Sequence, residues 1–142
     1  MIRKFKNDDI TKVMNIWTKG NFEANYFIDK DYWLLKYNET KQKILSESDT
    51  YVFIKDDQII GFISVLDKTK INSIFILKNF QRQGIGRKLI NFCKERYDKL
   101  YLDVYEKNIN AVLFHVAMGF INNKIQVDEE TGEKEIEMIW NN

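Results

Sequence analysis

Two glycines separated by one residue, between an apolar run and a basic helix, are the residues best suited to bind an anion. They lie in the loop Gln81-Arg82-Gln83-Gly84-Ile85-Gly86-Arg87. The first N–H groups of a helix have no intrahelical acceptor and carry partial positive charge, so they bind phosphates. Glycine lets an anion approach these amides, and Arg82 and Arg87 can add charge-assisted hydrogen bonds. The alternative is a simple turn that starts a helix.

Two common nucleotide-binding motifs do not fit this loop. A P-loop requires G-x-x-x-x-G-K-[ST], which Gly84-Ile85-Gly86-Arg87-Lys88-Leu89 does not supply. A dinucleotide fingerprint requires G-x-G-x-x-G, and Leu89 stands where the third glycine belongs.

The composition limits the other kinds of site. One cysteine, Cys93, and one histidine, His115, exclude an intramolecular disulfide and a cysteine-based zinc site. The 22 basic and 21 acidic residues lack the basic excess that is typical of nucleic-acid-binding proteins. The N-terminus does not read as a signal peptide, and no stretch approaches the ~20 apolar residues of a membrane-spanning helix. We therefore expect a cytoplasmic protein that binds no metal, nucleic acid or membrane.

The hydrophobic periodicity predicts the elements that position the glycine loop. The 142 residues, 44% of them apolar, suit one domain that spans 1–142. Helices are predicted at Asn7 to about Gly20, Asp31 to about Ser46, from near Gly84, and Asn108 to Met118 before Gly119. Strands are predicted at 1–5, Tyr51 to Lys55, Ile59 to Leu66, Ile71 to Leu77, Leu100 to Val104, Phe120 to Val127 and Glu133 to Trp140.

Only the order strand, glycine loop, helix, strand is similar to a βαβ unit. The strands before it form an antiparallel meander, and the strands after it form a hairpin that turns at Glu130-Thr131-Gly132. We therefore predict an α/β fold of the mixed α+β kind, with a mostly antiparallel central sheet and about four helices. A doubly wound parallel sheet does not fit this order.

The loop resembles motif A of the GNAT family of N-acetyltransferases, R/Q-x-x-G-x-G/A, with Gln81, Gly84 and Gly86 at the required positions. Downstream, residues 108–120 resemble the family's motif B, N-x-x-A-x-x-[FL]-Y-x-x-x-G-F. The matching residues are Asn108, Ala111, Phe114, Gly119 and Phe120. The two motifs stand in the family's order and at its usual separation. The resemblance, which is to a small single-domain bacterial-type member, covers essentially the whole chain.

The resemblance implies that acetyl-CoA is the co-substrate and that it binds in a V between two splayed strands, Ile71 to Leu77 and Leu100 to Val104. It implies that the backbone near Ile74, Phe75 and Ile76 holds the pantetheine arm and the acetyl group. It places the pyrophosphate on the loop residues Gln81, Arg82, Gln83, Gly84, Ile85, Gly86 and Arg87. Asn108 would reach the pantetheine, and Phe114 completes the predicted cofactor site. A helix N-cap is the alternative role for Asn108.

Two positions depart from the family pattern. The family commonly has a tyrosine, taken to protonate the departing CoA thiolate, where this chain has His115. Histidine can donate a proton near neutral pH, so His115 is the predicted catalytic residue. Its alternative is a packing role, because it shares a helix face with Met118. Family members often place a carboxylate on the strand before motif A, but this chain has Asn72 and Ser73 there.

The general base is therefore not assigned. The other carboxylates considered are Asp67, Glu23, Asp29, Asp31 and Asp128. The stretch Phe22 to Tyr37 combines aromatic and acidic residues, and in the family this region forms one wall of the acceptor cleft. Such residues suit a cationic amine, but core aromatics and a solvated charged face are their more usual roles.

The sequence thus predicts direct acetyl transfer from acetyl-CoA to a primary amine on a small molecule or a peptide, by a monomer or homodimer. Cys93 lies on the apolar face of its helix, so we do not expect it to carry the acetyl group. The alternative is a CoA-binding regulatory module without catalysis, which the missing tyrosine and strand carboxylate favour. The lack of an attached second domain argues against it.

Overall fold

The computed structural model describes residues 1–142, and its strands form one mixed seven-stranded sheet. The helices are α1 (Ile10–Ala24), α2 (Lys30–Ser46), α3 (Ile85–Lys94) and α4 (Ile109–Ala117). The strands are β1 (Ile2–Lys4), β2 (Ser48–Lys55), β3 (Gln58–Leu66), β4 (Lys70–Ile76), β5 (Lys99–Tyr105), β6 (Ile121–Val127) and β7 (Lys134–Asn141). Their order is β1-β2-β3-β4-β5-β7-β6, and only β4 and β5 are parallel neighbours. The predicted fold, mostly antiparallel with four helices, is confirmed.

Helices cover both faces of the sheet and enclose two hydrophobic cores. On the α1/α2 face, Trp17 of α1 and Trp33 of α2 pack edge to face, with ring centroids 6.0 Å apart. On the α3/α4 face, Leu89 and Cys93 of α3 are fully buried. α3 is amphipathic because its buried residues recur with helical spacing. The sheet therefore separates the two helical layers and presents a different surface to each.

Strand β5 runs through the centre of the sheet and sends alternate side chains to the two faces. Leu100, Leu102 and Val104 belong to the core on the α3/α4 face. Tyr105 packs on the opposite face, where its ring lies 6.4 Å from that of Trp33. By the same alternation, Asp103 also faces α1 and α2.

The first two helices differ from their predicted bounds. Asn7 is not a helix cap, since residues Asn7–Asp9 form a 3-10 turn before α1. Gly20 does not end α1, which continues to Ala24. A Cβ at Gly20 would lie 2.3 Å from Cδ1 of Phe75, so this glycine allows α1 to pack closely on the sheet. α2 begins one residue earlier than predicted, and the side chain of Asp29 caps it.

Candidate active site

The two central strands separate where the resemblance predicts. Lys70 and Tyr101 are the only paired residues of β4 and β5. Beyond this pair a cleft of ≈1390 Å³ opens, bounded by residues of all four α-helices. The backbone groups of β4 that face the gap have no neighbouring strand, so they can bind an extended ligand. All the predicted site residues except Gln83 line the cleft.

The loop after β4 presents a row of unpaired backbone amides. The N–H groups of residues 82–87 bind no backbone carbonyl of the protein. Arg82 and Gly84 have left-handed backbones, with φ of 64° and 79°, and α3 begins directly after them. Successive N–H groups in such a turn form a concave donor surface, and the helix dipole adds to its positive potential. This row is suited to bind the oxygens of a phosphate or pyrophosphate.

The two glycines of the loop meet different surroundings. A Cβ at Gly84 would have no atom within 4 Å, so the space beside it is open to a ligand. A Cβ at Gly86 would lie 3.1 Å from Cζ of Phe114. Gly86 therefore also permits the close packing of α3 against α4, which makes it a packing residue in addition to a lining residue of the cleft.

The polar side chains of the loop divide into structural and free groups. Gln81 donates from Nε2 to the carbonyl of Ile76 at 2.9 Å, which holds the loop against the end of β4. Gln83 accepts from Nζ of Lys55 at 3.0 Å, and it lies outside the cleft. Arg82 and Arg87 are exposed and line the cleft, so their guanidinium groups are available to an anion.

Asn108 is held by contacts with two helices. Its Oδ1 accepts from the N–H of Ala111 at 3.3 Å, so it is the N-cap of α4. Its Nδ2 donates to Oδ1 of Asn25 at 3.3 Å, and Asn25 donates to Asn21 at 2.9 Å. This chain of amides connects the end of α1 to the start of α4 beside the cleft. The capping role is shown, whereas contact with pantetheine stays a prediction.

His115 is buried on the inner side of α4. It is 4% exposed, its ring packs between those of Phe114 and Phe120, and Nδ1 is buried without a hydrogen-bond partner. Burial lowers the pKa of its imidazole to about 4, so the ring is neutral at neutral pH. His115 also lines the cleft. It can therefore offer a ligand a neutral N–H donor, but not the imidazolium that would give up a proton outright.

Asp103 is a cleft residue that the sequence reasoning missed. It stands two positions after Tyr101 on β5, as Asn72 stands two positions after Lys70 on β4, so the parallel register places it across the gap from the Asn72–Ser73 segment. One carboxylate oxygen, Oδ2, lies 3.4 Å from Nζ of Lys70. The other, Oδ1, is buried and accepts no hydrogen bond. The missing strand carboxylate is thus matched by one on the neighbouring strand. Its alternation with Leu102 and Val104 is the signal that could have found it.

The carboxylates considered from the sequence lie in different places. Glu23 lines the cleft, Asp29 caps α2, Asp31 is exposed in the first turn of α2, Asp67 lies in the turn before β4, and Asp128 follows β6. Asp128 accepts the hydroxyl of Tyr105 at 2.7 Å. Burial and this hydrogen bond raise the pKa of Tyr105, so the phenol stays protonated.

The stretch Phe22 to Tyr37 serves both the core and the cleft. Trp33 is buried against Trp17, yet it also lines the cleft, and its Nε1 has no hydrogen-bond partner. Tyr26 is 77% exposed at the rim. The segment therefore contributes both to the core and to the wall of the cleft, and Trp33 takes part in both.

Other kinds of chemistry find less support. Burial raises the pKa of the Cys93 thiol to about 12, so it is not a nucleophilic thiolate. No group of three or more His, Cys, Asp or Glu side chains is arranged to hold a metal ion. None of the helices combines the length and the apolar character required to cross a bilayer.

Comparisons with known proteins agree with this geometry. The family model for the acetyltransferase (GNAT) domain matches residues 26–141. The chain is 27% identical over 120 residues to the peptidyl-lysine N-acetyltransferase YiaC of Escherichia coli K12, covering 84% of this chain and 82% of YiaC. The apo-form solution structure of YjaB from Escherichia coli superposes with a TM-score of 0.80 at 22% identity, covering 99% of this chain and 96% of YjaB. The PaiA N-acetyltransferase of Thermoplasma acidophilum, solved with coenzyme A, gives 0.79 at 17% identity and covers 100% and 98% of the two chains.

The splayed strands, the amide row and the family match together define an acetyl-CoA-dependent N-acetyltransferase. The chain belongs to the GNAT family. Catalytic acetyl transfer to an amine is therefore favoured over the regulatory module that the sequence left open.

Proposed function

We propose that this enzyme acetylates the ε-amino group of lysine in a protein or peptide. The observation that carries the proposal is the cleft itself, which joins a row of unpaired backbone amides to a face that bears carboxylates. Support for lysine comes from YiaC, a relative that is named as a peptidyl-lysine N-acetyltransferase. We propose that the whole reaction is carried out by one domain, residues 1–142. We also propose a cytoplasmic location, because the single cysteine is free and buried.

The donor half of the proposed site lies along β4 and α3. The amides of residues 82–87 would bind the pyrophosphate, with Arg82 and Arg87 adding charge. The unpaired backbone of Ile74, Phe75 and Ile76 would bind the pantetheine as a neighbouring strand does. An N–H of β4 directed at the thioester oxygen would stabilise the charge that develops there during attack.

Two side chains on opposite faces of the sheet would move the protons. In the proposed reaction the amine nitrogen attacks the thioester carbonyl, and the carbon–sulfur bond breaks. Asp103, on the α1/α2 face, would take the proton that the amine loses. His115, on the α3/α4 face, would donate a hydrogen bond from its neutral ring to the departing thiolate, which then takes a proton from solvent. The gap between β4 and β5 would bring both groups to one carbonyl carbon.

Carboxylates line the acceptor half of the cleft, among them Glu23, Asp103 and Glu130. Asp103 stands two positions before Tyr105 on β5, so the two side chains face the same side of the sheet. Glu135 of β7 pairs directly with Tyr105 and therefore faces that side as well. Burial, together with the charges of Asp103 and Asp128, raises the pKa of Glu135. Burial is the main cause of this shift, and the two neighbouring carboxylates add to it, so a cationic amine beside Asp103 would meet a negative potential.

A direct test of the acceptor uses acetyl-CoA with peptides whose only amine is one lysine, blocked at the N-terminus. We expect ε-acetyl-lysine by mass spectrometry and one CoA thiol released per acetyl group transferred. The matched control replaces that lysine with arginine and gives no product. Spermidine and a peptide with a free N-terminus but no lysine are tested in parallel. Turnover of these amines with none of the lysine peptides would contradict the proposal.

His115 gives a prediction with two readouts. We expect His115→Ala to lower kcat at least tenfold with little change in CoA affinity, since a hydrogen bond to a charged group contributes ~1.5–3 kcal/mol and each ~1.4 kcal/mol of barrier is a factor of ten in rate. The pKa of about 4 in the folded protein, against 6.5 for an ordinary histidine, means that the folded state favours the neutral ring. Because the unfolded chain binds the proton more readily, the free energy of unfolding falls by roughly 3 kcal/mol as the pH drops from 6.5 towards 4, and this contribution is fully retained above pH 6.5. The variant should therefore lose less stability than the wild type between pH 6.5 and 4.

The control for His115 separates chemistry from packing. His115→Tyr should retain more activity than His115→Ala, because a phenol can also donate to the thiolate. kcat and melting temperature are measured on the same preparations. If His115→Ala melts early but turns over at the wild-type rate, the histidine is only a packing residue.

A further inference from the structure

One segment of the chain carries almost no charge. Charged residues make up 30% of the sequence, yet residues 108–127 contain a single one, Lys124. This segment forms α4 and the edge strand β6. Nζ of Lys124 lies 3.9 Å from Oε2 of Glu137 of the same chain, so part of its charge is offset.

The same segment exposes large apolar side chains. Leu113 and Val116 on the outer side of α4 are 61% and 52% exposed, and Ile125 and Val127 on β6 are 60% and 56% exposed. Ile109 at the start of α4 is also exposed, but it lines the cleft and so belongs to the candidate active site. Isolated apolar residues are normal on a surface, but a cluster of them indicates an interaction site.

The exposed residues of α4 and β6 lie on one face of the molecule. Ile125 pairs in register with Ile136, which belongs to the core beneath α3 and α4, so Ile125 faces the α4 side of the sheet. On α4, Phe114 contacts the position of Gly86 on α3. Val116 stands roughly 160° around the helix from Phe114, so it is turned away from α3. We call this surface, formed by Leu113, Val116, Ile125 and Val127, the α4–β6 face.

The two edges of the sheet differ in their protection. β1, at one edge, has three residues, two of them basic, which is a common way to block edge pairing. β6, at the other edge, has seven residues and pairs only with β7. Its outer backbone groups are free along a strand whose only charged residue is Lys124, and an open edge of this kind can recruit another strand.

We propose that the α4–β6 face binds a second copy of this chain. Two β6 strands pair antiparallel about a two-fold axis, and the contact is isologous because the same residues lie on both sides. A neutral face can meet its own copy without like-charge repulsion, whereas it offers no charge to select a charged partner. The two α4 helices then lie on the same side of the joined sheets and cover each other's apolar residues.

The size of the surface fits this partner. Four large side chains, each more than half exposed, provide on the order of 400 Å² of apolar surface, an area that is often functional when it forms one patch. A standard interface buries roughly 800 Å² per partner. The backbone of β6 and its asparagine and glutamine side chains supply the remaining area.

The test is the molar mass in solution, measured by light scattering and sedimentation equilibrium on the purified chain. We expect the wild type to have twice the 17.1 kDa of one chain. Leu113→Arg and Ile125→Arg should raise the dimer dissociation constant at least tenfold, because each places like charges across the two-fold axis. Both residues are exposed, so the variants should keep the wild-type circular dichroism and melting profile of a folded chain.

A matched control is available on α2. Leu35 is 81% exposed and lies outside the α4–β6 face, so Leu35→Arg should leave the dimer intact. A wild-type mass of 17.1 kDa at all concentrations overturns the proposal, as does a dimer that survives both face variants or dissociates with Leu35→Arg. If the wild type is a monomer and Leu113→Arg lowers its affinity for acetyl-CoA, the face binds acetyl-CoA and the dimer proposal is wrong. None of these outcomes depends on which amine is acetylated.

Discussion

Gly84→Val is expected to weaken acetyl-CoA binding by roughly 100-fold or more. The backbone at Gly84 is left-handed, and the space beside it is open, so an added side chain would occupy the position where a phosphate meets the amides of residues 82–87. Hydrogen bonds to charged groups contribute ~1.5–3 kcal/mol each, and losing two of them changes affinity by this amount. Isothermal titration with CoA and acetyl-CoA measures the change.

Gly132→Val is the matched control for backbone strain. Gly132 also has a left-handed backbone, with φ of 75°, and no atom within 4 Å of its added Cβ, but it lies in the β6–β7 turn. Both substitutions therefore carry a similar cost in folding stability, ~1–2 kcal/mol for a left-handed residue. Only Gly84→Val should lose its affinity for acetyl-CoA. Unchanged CoA affinity in folded Gly84→Val would show that the pyrophosphate does not bind at this loop.

Gly86 is a poor choice for the same experiment. A side chain there would press on the ring of Phe114, so α3 and α4 would have to move apart. A loss of binding in a Gly86 variant would therefore mix a local block with a change in helix packing. The sequence treats the two glycines alike, whereas their surroundings in the fold distinguish them.

The order of elements could be predicted because its signals are local. The apolar spacing of α3 repeats every three or four residues, and the alternation of β5 repeats every two residues, so each pattern is visible within a short stretch of sequence. The glycine loop is also one continuous segment, so its donor row could be anticipated from residue types alone. Gly20 shows the limit of local signals, since its role is to accept the ring of Phe75, 55 positions along the chain.

The rest of the site depends on contacts between distant segments. Asn108 could be predicted as a helix cap, but its hydrogen bond to Asn25 spans 83 positions of sequence. The burial that lowers the pKa of His115 comes from tertiary packing, including the ring of Phe120 in the next element. Asp103 looked like an ordinary polar residue of an alternating strand. Its position opposite Asn72–Ser73 follows only from the parallel pairing of Lys70 with Tyr101.

Asp103→Asn is expected to lower kcat by ~10²–10⁴-fold, the usual contribution of a general base. The amine must lose a proton to attack, and Asp103 lines the cleft with a carboxylate whose buried Oδ1 accepts no hydrogen bond from the protein. Asparagine keeps the size of the side chain but cannot accept the proton. Acetyl-CoA affinity should change little, because Asp103 lies on the acceptor face of the sheet.

The pH dependence separates a base from a structural carboxylate. An ordinary lysine amine has a pKa of ~10.4, so more of it is already deprotonated as the pH rises. The ratio of wild-type to Asp103→Asn rates should therefore fall steadily from neutral to alkaline pH. Glu137→Gln is the matched control, because Glu137 pairs directly with Asp103 in the sheet, faces the same side and lies outside the cleft. A rate ratio that stays constant with pH, or an equal loss in Glu137→Gln, would show that Asp103 acts on the structure and that another group takes the proton.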